Sequence, residues 1–301
     1  MPELMSVNNL CKYFSGGAAL EKICFSLEEG SVCGLIGANG AGKSTLLRIL
    51  AGIYRPDAGS VSMLGMNPYD APEVRGGSFF IPDYPWFPQG ATLCSAAAYY
   101  RVLYPNWDDS LFDALCAAFP VGNVRGKLSS LSKGMQRQAA LALALSTRPK
   151  LLLLDEIFDG LDPVVRCLAR QALMDAVTQR GASILLASNS LRELEEICDS
   201  IVLLYQGKMI LKQPADVMRE SVTRIQAAFD APVERVDFKG LEILSFQARG
   251  RMVTLAVRGE RSRIVAQIQA MRPVFLEASP STLEEAFISE MEGAGYEIPN
   301  A

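Results

Sequence analysis

The chain has 301 residues, enough for one large or two modest domains with a real core; 50% are hydrophobic and 21% charged. A net charge of −4 gives no overall basic bias toward nucleic acid or anionic lipid, and the complete lack of histidine excludes imidazole chemistry. The seven cysteines are scattered and never in C-x-x-C spacing, which argues against zinc and reads as small buried thiols in a reducing cytosol.

The N-terminal stretch MPELMSVNNLCKYF lacks the basic-then-apolar order of a signal peptide. No run reaches the roughly 18 consecutive apolar residues that would span a bilayer, so any work at a membrane requires a partner to hold the chain there. From residue 1 to about 215, short apolar runs alternate with helical patterns, which predicts an α/β fold around a largely parallel sheet. SVCGLI (31–36), KLLLLD (150–155), ASILLAS (182–188) and SIVLLY (200–205) are too apolar for half-exposed strands and read as central ones covered on both faces.

After the first of these runs comes GANGAGKST (37–45), which fits the phosphate-binding pattern G-x-x-x-x-G-K-[ST] and leads into the helical LLRILAG. A strand, a glycine-rich turn and a helix start aim backbone N–H groups at one point. The candidate phosphate-binding set is therefore Gly37, Asn39, Gly40, Ala41, Gly42, Lys43, Ser44 and Thr45. Lys43 supplies a compact positive charge for the β and γ phosphates, and Ser44 is suited to ligate Mg²⁺. The Lys-Ser ending fits a triphosphate with Mg²⁺ better than a dinucleotide, which disfavours a Rossmann dehydrogenase.

Between about 86 and 147 the strand signals stop, and SLFDALCAAF (110–119) and GMQRQAALALAL (134–145) have helical spacing, which predicts a helical insertion. LLLLDE then ends an apolar strand in two carboxylates. Asp155 falls at the sheet's C-terminal edge, where ligands bind in open α/β folds, and is suited to a metal's water ligand. Its neighbour Glu156 is suited to orient or deprotonate an attacking water.

Residues 216–301 change to shorter alternating segments, which predicts a small α+β accessory domain with a packing or dimerisation role. EILSFQA and MVTLAV flank Arg249-Gly250-Arg251 as a hairpin, SRIVAQIQAMR (262–272) suits a helix, and Ser281 with Glu284 matches a capping box.

Over residues 4 to about 212 the chain resembles the nucleotide-binding subunits of ABC transporters, whose motifs it carries in order. The phosphate loop and LLLLDE are joined by LSKGM (131–135), a variant signature with Lys133 and Met135 where glycine and glutamine are usual, and by the D-loop-like GLDP (160–163). The tail with its closing LEEAF is similar to that of bacterial ABC-2-type exporter ATPases. The resemblance implies a P-loop fold of ABC type with a helical subdomain at about 86–147, binding ATP and Mg²⁺ and hydrolysing ATP. It implies that Phe14, beside Tyr13, stacks on adenine, and that Ser132 and Gly134 grip the nucleotide held by a second chain. The expected partners are thus a second copy or a related ATPase subunit in a head-to-tail dimer, and an integral membrane permease at the inner face of the cell membrane. Nucleic acid is not an expected partner, because the two tandem domains of translation factors and the long coiled coil of repair proteins do not occur here.

The family's switch histidine corresponds to Asn189, and the glutamine that senses Mg²⁺ and the attacking water corresponds to Asp83, here a candidate metal ligand. Ile157 and Phe158 also replace the usual Pro-Thr/Ser after the catalytic glutamate. The Asn189 amide still donates a hydrogen bond but carries no proton between groups. Binding is therefore expected to survive and turnover in isolation to be slow, with a low-turnover regulatory subunit of a heterodimer as the alternative.

Overall fold

The computed structural model describes residues 2–122, 125–220, 222–282 and 286–287, and the chain divides into two compact units, Met1–Lys212 and Gln213–Ala301. The first unit opens with β1 (Glu3–Phe14) and β2 (Gly17–Glu28), paired antiparallel, followed by β3 (Val32–Ile36), α1 (Lys43–Leu50), β4 (Ala58–Met63), α2 (Pro72–Gly77) and β5 (Ser78–Ile81). Three helices come next, α3 (Leu93–Leu103), α4 (Asp109–Ala118) and α5 (Lys133–Ser146). The chain then runs through β6 (Leu151–Asp155), α6 (Pro163–Arg180), β7 (Ser183–Ser188), α7 (Leu191–Glu195), β8 (Ser200–Tyr205) and β9 (Lys208–Pro214).

Among the described residues these strands form a nine-stranded sheet in the order β4-β1-β2-β9-β8-β3-β7-β6-β5. The stretch β8-β3-β7-β6-β5 is parallel throughout, as its apolar runs require, since every residue of β3, β6 and β7 is buried. The antiparallel edge of β4, β1 and β2 is an addition to the parallel core. Leu35, Leu46, Leu47, Leu153, Leu185 and Val202 belong to one apolar cluster between sheet and helix α1.

The helix boundaries follow local chemistry. Thr92 and Ser95 make a reciprocal capping box at α3, and the Asp108 carboxylate caps α4 by accepting from the Leu111 N–H. Asp162 accepts from the Val164 and Val165 N–H groups, Pro163 takes the first position of α6, and Gly181 in the left-handed region closes it. Helix α5 packs on α3 and α4 and also on β5 and α6, so it joins the helical segment to the sheet layer.

The second unit contains α8 (Ala215–Glu220), β10 (Val222–Ala228), β11 (Glu242–Arg249), β12 (Met252–Arg258), α9 (Arg261–Ala270) and β13 (Phe275–Pro280). Its strands form an antiparallel sheet in the order β11-β12-β10-β13, with the β11–β12 hairpin turning at Gly250. Ile225, Leu255 and Val257 of the sheet pack with Ile264 and Ile268 of α9, an α+β arrangement with its own core. Glu284 of the expected capping box lies outside the described residues. Among the described residues no helix is long and apolar enough to cross a membrane.

Leu153 is fully buried in β6, with Phe80 of β5 on one side and Leu185 of β7 on the other. Leu153→Ala should lower the unfolding free energy of this unit by about 2–5 kcal/mol. Val102→Ala, at an 84% exposed side chain, should cost about 0.5 kcal/mol or less. Urea midpoints by circular dichroism measure both.

Candidate functional site

The register of the parallel strands sets the site. Ile36 pairs with Ser188, Asp155 with Ala187, and Ile81 with Leu154, so β3, β7, β6 and β5 all end at one edge of the sheet. The 37–45 loop, Asn189, Glu156 and Asp83 therefore emerge side by side, although up to 152 residues separate them in the chain (189 − 37).

Within the loop, a Cβ on Gly37 would stand 2.4 Å from the Leu204 carbonyl oxygen, and one on Gly42, at φ 106°, would stand 2.7 Å from that of Ala19. No side chain fits at either position, so the backbone lies close against β8 and β2 and then turns into α1. Asn39 and Gly40 are exposed at the loop's rim, Ala41 is buried beneath it, and Ser44 and Thr45 lie in the first turn of α1. The first N–H groups of that helix have no intrahelical acceptor, which makes its start a site for an anion. Lys43 is 6% exposed; its ammonium donates to the Gly37 carbonyl at 2.6 Å and stands 3.5 Å from the Glu156 carboxylate.

Asp155 is fully buried at the end of β6, and neither carboxylate oxygen has a hydrogen-bond partner. Burial holds its carboxyl above the ordinary aspartate range; the Asp83 charge adds to the rise, while the Ser44 hydroxyl and the Arg48 and Lys43 charges oppose it. An orphaned, desolvated carboxylate next to a hydroxyl is costly by itself, and oxygen donors of this kind suit a hard divalent cation. Asp155 and Ser44 thus fit Mg²⁺.

Glu156 has a left-handed backbone, φ 50°, uncommon for a residue with a side chain and typical of functional positions. Its N–H donates to the Ala187 carbonyl at 2.9 Å, and its carboxylate accepts from the Asn189 main-chain N–H at 3.2 Å. Burial pushes the Glu156 carboxyl above the usual glutamate range, and the Lys43 ammonium and the Asn189 N–H draw it part of the way back.

Asp83 has a different partner from the metal expected of it. Its carboxylate is ion-paired with Arg137, whose guanidinium, 3% exposed, also donates to the main-chain carbonyls of Asp83 and Asp159. A buried guanidinium needs several acceptors, and the loops after β5 and β6 supply them. The Asp83 charge still reaches Asp155, but its carboxylate is engaged by Arg137, which leaves Asp155, with Ser44 near it, as the carboxylate not held by a cation.

Ser132 caps α5 by accepting from the Met135 N–H at 3.3 Å, with Gly134 in the helix's first turn. Lys133, a departure from the usual signature, has its ammonium 5.0 Å from the Tyr84 ring centroid. Phe14, 46% exposed at the end of β1, meets Tyr54 edge-on at 5.7 Å and has the Lys12 ammonium 5.4 Å from its ring centroid. The structure thus brings Lys43, Ser44, Asp155, Glu156 and Asn189 together at one sheet edge, while Phe14 contacts Tyr54 and Lys12 and Gly134 lies against the Gly160 carbonyl. Arg137 and Glu193 escape motif reading. The one signal for Arg137 is a charge two residues before the Ala/Leu run 139–145 of α5.

A sequence model of the ABC transporter family matches residues 20–159. The chain is 30% identical to the ABC-type transporter ATP-binding protein EcsA of Bacillus subtilis over 235 residues, 75% of this chain and 94% of that one. It is 28% identical to the ABC transporter ATP-binding protein YtrB of the same organism over 290 residues, covering 96% and 99% of the two chains. To the Nod factor export ATP-binding protein I of Rhizobium etli it is 27% identical over 297 residues, covering 92% and 94%. Among solved structures, an ATP-binding subunit of an ABC transporter superposes with a TM-score of 0.67 at 29% identity, over 72% of this chain and 92% of that one. A dimeric post-hydrolysis ATP-binding cassette, MJ0796 with ADP and Pi, shares the fold at a TM-score of 0.62 and 19% identity, over 70% and 98%.

A phosphate loop, a buried carboxylate at a strand end and an adjacent glutamate are the parts of a P-loop nucleoside-triphosphatase, and the family match makes it one of the ABC type. The chain belongs to the ABC transporter ATP-binding proteins and is an ATP-binding ATPase subunit of that family.

The unpaired charge of Asp155 has a stability consequence. Because its folded pKa is raised, the folded state keeps this proton to higher pH than the unfolded chain does, and stability falls as pH rises through the folded value. Asp155→Asn should therefore raise the melting temperature in EDTA at pH 7, and the gain should shrink as pH falls toward the ordinary aspartate range; scanning calorimetry across that pH span tests it.

Proposed function

We propose that this chain binds Mg-ATP at the 37–45 loop and hydrolyses it to drive an integral membrane permease, in the direction of export. The observation that carries the catalytic part is the convergence of Lys43, Asp155, Glu156 and the Asn189 N–H at one sheet edge. Lys43, freed from Gly37, neutralises the β and γ phosphates, and the main chain of residues 37–45 wraps them. Asp155 and Ser44 would hold Mg²⁺, which would supply charge neutralisation for the phosphates. Glu156 orients a water and accepts its proton, a role its raised pKa favours because a base is most effective when its pKa lies nearer the working pH. The Asn189 amide donates to the γ-phosphate, and Phe14 offers an exposed ring for the adenine.

Ser132 and Gly134 at the start of α5 serve the nucleotide of a second, twofold-related subunit, a copy of this chain or a related ATPase. The shared fold with a dimeric cassette supports this arrangement, and near full-length likeness to a Nod factor export protein supports export. The permease would hold the chain at the membrane, since none of its described helices is long and apolar enough to cross a bilayer.

A second reading, a low-turnover regulatory subunit of a heterodimer, is favoured by two residues. Asp83 is engaged by Arg137, and position 189 offers an amide where an imidazole would take up a proton. The measured turnover decides between the readings: rates typical of motor ATPases with the permease present exclude the second.

Glu156→Gln should lower kcat by about 10²–10⁴-fold and change nucleotide affinity little. The wild-type rate should rise with pH through a value above the ordinary glutamate range, and this limb should be lost in the variant. Phosphate release against pH, with a fluorescent ATP analogue for binding, checks both; equal rates remove Glu156 as the base.

A further inference from the structure

The end of β7 carries a chain of directional hydrogen bonds that none of the motifs accounts for. Ser188, fully buried, donates its hydroxyl to the Glu193 carboxylate at 2.7 Å and accepts from the Ser190 N–H at 3.0 Å. Between the two serines stands Asn189, whose main-chain N–H donates to Glu156 at 3.2 Å. Glu193, 10% exposed, lies 4.0 Å from the Arg166 guanidinium of α6, and its own N–H bonds the Ser190 carbonyl at 3.2 Å.

The geometry points to Glu193 as a positioning residue, which locks the Ser188–Ser190 turn so that the main-chain N–H at 189, whatever its side chain, holds Glu156 in place. This inference rests on the assignment of Glu156 under the proposed function and adds the group that fixes it.

A serine hydroxyl has one proton and rotates to suit its partners. By taking that proton, the Glu193 carboxylate leaves the lone pairs of Ser188 free for the Ser190 N–H, and the turn closes around Asn189. Glu156 is then held from β7 twice, by its own N–H on the Ala187 carbonyl and by the Asn189 N–H on its carboxylate. Without Glu193 the hydroxyl is free to turn, its bond to Ser190 loosens, and the donor facing Glu156 drifts. A histidine side chain is not needed for any of these contacts, which is consistent with a working site in a chain that has none.

The test uses the full chain and steady-state phosphate release for the wild type, Glu193→Ala, Glu193→Gln, Glu156→Gln and the double variant Glu193→Ala with Glu156→Gln. Glu193→Ala should lower kcat by about 10- to 100-fold, as expected for a misplaced catalytic group, with KM within about threefold. Glu193→Gln, whose amide oxygen still accepts from Ser188, should recover most of that loss. In the Glu156→Gln background, Glu193→Ala should add little, since two residues that act as one unit are not additive.

Unaltered kcat in Glu193→Ala beside a slowed Glu156→Gln overturns this inference alone. A Glu193→Gln variant as slow as Glu193→Ala, or a full additive loss in the double variant, does the same. If Glu156→Gln turns over like the wild type, the assignment of Glu156 fails and this inference falls with it.

Discussion

The parallel register of β5, β6, β7 and β3 is the constraint on which this ATPase depends. Every residue of β3, β6 and β7 is buried, and a change of register in any of these strands would displace the loop that follows it. With Ile36 opposite Ser188 and Asp155 opposite Ala187, the loops leave the sheet at one level. The phosphate loop, the metal-type carboxylate, the glutamate and the switch position become neighbours through backbone pairing alone.

Once these groups share an edge, their charges are interdependent. Lys43 lies between the Gly37 carbonyl and Glu156, Asp155 is buried with neither oxygen hydrogen-bonded, and the Asp83 charge, though ion-paired with Arg137, still adds to the rise of the Asp155 carboxyl. The site therefore holds two carboxyls that burial raises above their ordinary range, one of them, Asp155, with neither oxygen hydrogen-bonded. That is strain a stable core would not carry for its own sake, since burying unpaired charge opposes folding. The cost is tolerable because the surrounding strands supply a large, fully apolar core.

Arg137 and Glu193 show how the departures from the usual motifs are accommodated. Arg137 joins α5, at whose start the LSKGM segment lies, to the loops after β5 and β6, so that segment and the sheet edge carrying Asp155 and Glu156 are mechanically linked. Glu193 ties the switch turn to α6, which begins at the GLDP loop. The absence of histidine thus removes a side chain from the site without removing the hydrogen-bonded frame around Glu156.

What the sequence alone determines here are features whose cause is local or periodic. The unbroken apolar runs specify central strands, the G-x-x-x-x-G-K-S spacing specifies the turn at 37–45, and LLLLDE places two carboxylates at a strand end. Family resemblance adds the roles of LSKGM and of position 189. The antiparallel edge formed by β4, β1 and β2 is not contained in those runs, because half-exposed strands are told from loops only by the neighbours they pair with. Tertiary structure alone decides that Asp83 faces a guanidinium 54 residues away and that Glu193 reaches the Ser188 hydroxyl. The physical reason is that a hydrogen-bond partner is chosen by distance and direction in space, and those are fixed only when strand register and helix packing have brought remote segments together.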